Sequence, residues 1–85
     1  MRIVYHRDAV KSLRRMQRAK AEDITRSLER IAANPFASNN NVRPLGGVPR
    51  GFRVRVGDWR VSYVVDPEKH VVEVFEIAPR GGAYR

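Results

Sequence analysis

The feature that most constrains this chain is a change of hydrophobic period past its middle. In the first half, apolar residues recur at helical spacing. From Phe52 they alternate: Phe52, Val54 and Val56 fall on one side, Arg53 and Arg55 on the other. Gly57-Asp58 then interrupts the alternation, and Trp59, Val61, Tyr63 and Val65 resume it. Alternation sends successive side chains to opposite faces of a strand, and a Gly-containing pair between two such runs marks a two-residue hairpin. The sequence therefore predicts an α+β fold, in which helices cover the apolar face of a small antiparallel sheet and leave the other face polar.

The hairpin fixes a register. With Gly57 and Asp58 as its loop, Val56 faces Trp59, Arg55 faces Arg60, and Arg53 lies two residues further along the same surface. Three guanidinium groups then share one face. Like charges directly opposite on a sheet cost roughly 0.2–1 kcal/mol, which suggests that an anion normally sits there. The plain alternative is a solvated polar face on which the long side chains splay apart.

Upstream, Arg2 to Tyr5 reads as a short strand. Asp8 is the expected N-cap of a helix whose apolar stripe is Ala9, Val10, Leu13 and Met16, with Lys11, Arg14, Arg15 and Arg18 outside. A second stripe of Ile24, Leu28 and Ile31, flanked by Ala21 and Ala32, is stopped by Asn34-Pro35. Periodicity alone permits one helix from Asp8 to Ala33. A two-helix hairpin with a break near Arg18 to Ala21 is expected instead, because a lone long helix would leave its apolar face poorly covered. Residues 35–51 read as a loop, punctuated by three asparagines, prolines and Gly46-Gly47. Asp66 to Lys69 is a second turn, Val71 to Ala78 the last strand, and PRGGAYR a tail.

Composition narrows the function. Eighty-five residues allow a single domain, 1–85, with a modest core and no room for a cofactor-sized interior cavity. Lys and Arg number 17 against 9 Asp and Glu, for a formal charge of +8, and only Lys11, Lys20 and Lys69 are lysines. Arginine's planar fork matches phosphate bidentately, so its position on the hairpin matters more than the charge itself. The absence of cysteine excludes a disulfide framework, a thiolate metal site and a cysteine nucleophile. His6 and His70 have no metal-ligand spacing. No metal or cofactor is expected. No apolar run is long enough for a membrane span or export signal, and a cytoplasmic protein is expected.

Beyond the last strand, Arg80 stands beside Gly81 and Gly82, and Tyr84 follows four residues later. If Val71, Phe75 and Ile77 face the core, Glu76 joins the arginine face, and a five-residue loop from Asp66 to His70 places it opposite Arg60, where it could orient that arginine or act as a base. The opposite register puts it elsewhere.

FRVRVGDWRVSYVVD, followed by VFEIAPRGGAYR and preceded by two helical stripes, the Asn-Pro stop and a PLGG loop, resembles the RelE/ParE toxin superfamily over nearly the whole chain. The resemblance implies a RelE-like fold and the toxin of a type II toxin–antitoxin system, acting as a ribosome-dependent, metal-independent mRNA endonuclease that inhibits translation. It implies Arg60, Arg80 and Tyr84 as catalytic residues and Arg53 and Arg55 as RNA-phosphate contacts, with Glu76 an accessory candidate. Its implied partners are a cognate antitoxin, the ribosome and mRNA, and operator DNA only in complex with the antitoxin; no membrane is involved. Two departures matter. Arg53 and Arg55 stand where several relatives carry lysine, and Pro79 where many carry histidine. Arginine holds its proton near neutral pH, so residues 53 and 55 are expected to position and to stabilise charge, leaving Tyr84, Glu76 or ribosomal RNA as the base. The alternative is a ParE-like inhibitor of DNA gyrase without nuclease chemistry. A third reading is an inactive fold member that serves an antitoxin-bound repressor.

Overall fold

The computed structural model describes residues 1–80. Along them run β1 (Arg2–Tyr5), α1 (Arg7–Arg15), α2 (Arg18–Ala33), β2 (Val42–Pro44), β3 (Gly51–Val56), β4 (Trp59–Asp66) and β5 (Val71–Pro79). The strands form one sheet in the order β1, β5, β4, β3, β2. The fold class is the expected α+β, but the sheet is mixed. β1 enters it parallel to β5, Arg2 beside Val71 and Tyr5 beside Val74, while the remaining pairs are antiparallel.

Both helices lie on the same face of the sheet. Ala9 of α1 and Ile24, Leu28, Ile31 and Ala32 of α2 pack against Val54, Val61, Tyr63, Val65, Val72, Val74 and Ile77. Tyr63 is buried among them and stacks on Phe52 with ring centroids 5.8 Å apart. No helix is long and apolar enough to cross a membrane among the described residues.

Several local readings are corrected. The residue at the N-cap of α1 is His6, which makes no side-chain cap bond; Asp8 sits one position into the first turn, where its charge still favours the positive end of the helix dipole. The helices part at Met16 and Gln17, ahead of the expected Arg18 to Ala21. Both residues are extended, with ψ 167 and 143, so the chain turns without glycine or proline while Met16 packs against the core.

A strand also lies inside the segment read as a loop. β2 spans only three residues and ends on Pro44, which a strand tolerates at a sheet edge because the missing N–H is not required there.

In β5 the pairing register shifts between Ser62 and Tyr63. Glu76 lies opposite Ser62 and Val74 opposite Tyr63, so Phe75 is the extra, unpaired residue of a bulge. The bulge switches which residues face the helices: Val72 and Val74 do so before it, Ile77 after it. Phe75 is half-buried and outside the core cluster, and Val71, although buried, is outside it too.

Candidate nucleic-acid interface

The face of the sheet that the helices leave open carries the site. Its register follows from the hairpin, where Gly57 takes φ 58 at the first loop position, a left-handed conformation that glycine adopts without steric cost. Val56 pairs with Trp59, Arg55 with Arg60, and Arg53 with Ser62, as the sequence predicts. Arg55 and Arg60 are exposed, whereas Arg53 is half-buried between its neighbours.

Sequence reasoning missed a fourth arginine. β2 adds Arg43 directly opposite Arg53, so two arginine pairs, Arg43 with Arg53 and Arg55 with Arg60, span three adjacent strands. The signal was the apolar-polar step Val42-Arg43 after the asparagine run, too short to stand out from a loop. These four arginines, with Asn40, Asn41, Pro44 and Leu45, line an open groove of about 260 Å³. The backbone N–H of Arg55 donates to the Asn41 carbonyl at 3.0 Å, tying the asparagine turn to β3.

Little opposes this charge. The ion pairs among the described residues are His6 with Glu73, Arg18 with Glu22 and Arg26 with Asp23, and none involves a groove arginine. Glu76 does reach the open face, but opposite Ser62; Ala78 is the residue facing Arg60, so the expected Glu76–Arg60 pairing does not form. Two one-residue differences make the offset: Asp66, and not Val65, pairs with Val71, and the bulge at Phe75 adds the second residue. Such a surface, four guanidinium forks without carboxylate partners, is suited to bind a phosphate-bearing chain and to stabilise charge that develops on a phosphoryl group.

Arg80 sits apart from the groove. It follows β5 at the hairpin end, where its backbone N–H donates to the Asp58 carbonyl at 2.8 Å and its side chain lines a separate cleft with Asp58, Trp59 and Pro79. Tyr84 lies outside the described residues. Among those described, no group of three or more His, Asp or Glu side chains is placed to hold a metal ion.

A sequence model of the ParE toxin of type II toxin–antitoxin systems matches residues 3–84. The chain belongs to the ParE toxin family. Within the wider RelE/ParE group, it is 27% identical over 81 residues to a Methanocaldococcus jannaschii protein named as toxin RelE1, covering 94% of this chain and 90% of that one. Its fold is similar to that in the RelE–RelB complex of Pyrococcus horikoshii, with TM-score 0.82, 27% identity, and 96% and 97% of the two chains covered. The isolated RelE toxin of Escherichia coli has the same fold, with TM-score 0.81, 21% identity, and 96% and 86% covered. This ParE-family chain is thus a type II toxin–antitoxin toxin of the RelE/ParE kind.

Proposed function

We propose that this toxin is a RelE-like, ribosome-dependent mRNA endonuclease that stops translation without a metal ion. The observation that carries the reading is the double arginine pair on the open sheet face, where cross-strand repulsion is left uncompensated by any carboxylate within ion-pair distance among the described residues. A polyanion relieves that repulsion. The reaction is attack of a ribose 2′-hydroxyl on the adjacent phosphate, giving a 2′,3′-cyclic phosphate and a 5′-hydroxyl end, so the substrate is RNA and not DNA. Arg60 stabilises the charge that builds on the phosphate, joined by Arg80 if its side chain swings from the cleft beside Asp58 and Trp59 toward the groove on binding. Arg53 and Arg55 grip flanking phosphates, and Tyr84 stacks on a base or moves a proton. Glu76, two positions along β5 from the residue facing Arg60, is an accessory candidate.

A cognate antitoxin is the proposed protein partner, as RelB is for the Pyrococcus horikoshii RelE. An acidic or amphipathic segment that wraps the basic face would block the groove. Operator DNA would be met only through that complex.

The match to ParE toxins favours one competing reading, inhibition of DNA gyrase by binding. One experiment separates the two. Purified toxin added to translating ribosomes in EDTA is expected to cut mRNA and leave gyrase supercoiling intact; whole mRNA together with inhibited supercoiling would replace the nuclease reading by the gyrase one.

A further inference from the structure

A second cavity lies around the edge of the sheet from the arginine groove, on the helix side. It has a volume of about 200 Å³ and opens between the C-terminal half of α2 and strands β2 and β3. Its polar lining is Ser27, Arg30, Asn34, Ser38, Asn39, Asn41 and Tyr63. Tyr63 is only 1% exposed, and its hydroxyl takes part in none of the side-chain hydrogen bonds among the described residues. Among the described residues no side-chain nitrogen or oxygen is both sealed and unpaired, so the phenol oxygen keeps some accessible surface, and Tyr63 lines this cavity. A phenol is protonated, and so a donor, at neutral pH, and burial pushes the pKa of this one further up, to about 12.

The two cavities share a wall. Asn41 lines both, Asn40 lines the arginine groove and Asn39 the second cavity, so the asparagine turn is the rim between them. The turn is braced: the Asn41 N–H donates to Asn39 Oδ1 at 2.9 Å and its carbonyl accepts from the Arg55 N–H. The chemistry changes across the rim. Four arginines face one side; on the other, Arg30 is the only charged group among hydroxyls and amides.

We infer that this second cavity receives one base of the RNA strand whose phosphates lie in the arginine groove, an inference that rests on the RNA reading above. Three amides and three hydroxyls present both donors and acceptors, which is what the edge of a base requires and what a carboxylate, an acceptor only, does not use. Ile31 and Val54 supply apolar wall for the ring faces. Size agrees as well, since a cavity of about 150 Å³ admits a benzene ring. Sequence-specific reading of RNA relies on such unstacked single-stranded bases.

The test uses single-stranded octaribonucleotides in which one abasic position is moved along the strand, leaving every phosphate in place. Binding is measured against salt for the wild-type protein, Ser27→Leu and Arg30→Leu, two changes on α2 that fill or neutralise the cavity without touching the groove. For the wild type, one abasic position should weaken binding about 5- to 30-fold. In both variants that sensitivity should vanish while the salt slope stays the same, and either folded variant suffices. Equal affinity at every abasic position, or sensitivity that persists in the variants, overturns the inference while leaving the RNA reading standing. Wild-type binding without salt dependence instead removes the RNA reading on which it rests. If an acidic peptide, and not a base, proves to occupy the cavity by shifts in the Tyr63 resonances, the inference is likewise overturned.

Discussion

Arg55 and Arg60 are direct cross-strand partners, two residues from the tip of a hairpin, with no carboxylate in ion-pair range of either among the described residues. Like charges in that arrangement oppose folding by roughly 0.2–1 kcal/mol. Replacing Arg60 by Gln should therefore leave the melting temperature unchanged or slightly higher. If Arg60 stabilises the developing phosphoryl charge, mRNA cleavage should fall by about 10²–10³. A large drop in melting temperature with cleavage preserved would make Arg60 a structural residue.

Arg43 belongs to the same surface but to the edge strand. Arg43→Gln should act as the loss of one phosphate contact, reducing the slope of log K against log salt by about 0.7 for single-stranded RNA, with little change in stability. Titrations of Arg43→Gln, Arg53→Gln and Arg55→Gln at several salt concentrations check this. An unchanged slope would remove Arg43 from the interface.

Tyr63 predicts an alkaline weakness. Its pKa is raised from the ordinary 10.0 to about 12 because burial disfavours the phenolate. Between those values the folded state keeps a proton that the unfolded state loses. Stability therefore falls as pH rises through that window, by up to roughly 3 kcal/mol. Denaturant unfolding of Tyr63→Phe from pH 9 to 12 should show a flatter decline than wild type. Identical slopes would mean that Tyr63 does not titrate with unfolding.

The tail can be tested by removal. A chain ending at Pro79 loses the Arg80 N–H bond to Asp58, a contribution of about 0.5–1.5 kcal/mol, and, among the described residues, no core residue. It should keep its circular dichroism spectrum and bind antitoxin, yet lose nearly all toxicity. Tyr84→Phe then divides the roles of that ring: retained toxicity points to stacking, and a loss equal to that of Tyr84→Ala implicates the hydroxyl. Full toxicity of the truncated chain at equal expression would exclude Arg80 and Tyr84 from the chemistry.

Much of this was legible in the residues. The alternation of Phe52 to Val65 and the Gly57-Asp58 pair determine which arginines face each other, because a two-residue loop admits a single register. The two helical stripes marked the buried residues Ala9 and Ile24, Leu28 and Ile31 in the same way. What escaped depended on contacts distant in sequence. β2 is too short to show a period and exists only because β3 offers it a partner. The bulge at Phe75 leaves no local signal, and together with a turn one residue tighter than expected, which pairs Asp66 and not Val65 with Val71, it separates Glu76 from Arg60. The break at Met16 and Gln17 was hidden because neither residue is a helix breaker.

The parallel pairing of β1 with β5 also bears on when this toxin can become active. Arg2 to Tyr5 is synthesised well before its strand partners, Val71 to Val74, which are among the last of the described sheet. A contact of such high order forms late, since the intervening chain must first be brought together. Chains emerge from the ribosome at about 5–20 residues per second, so β1 waits several seconds for the strand that completes it. A nascent copy therefore cannot assemble the five-stranded platform during most of its own translation.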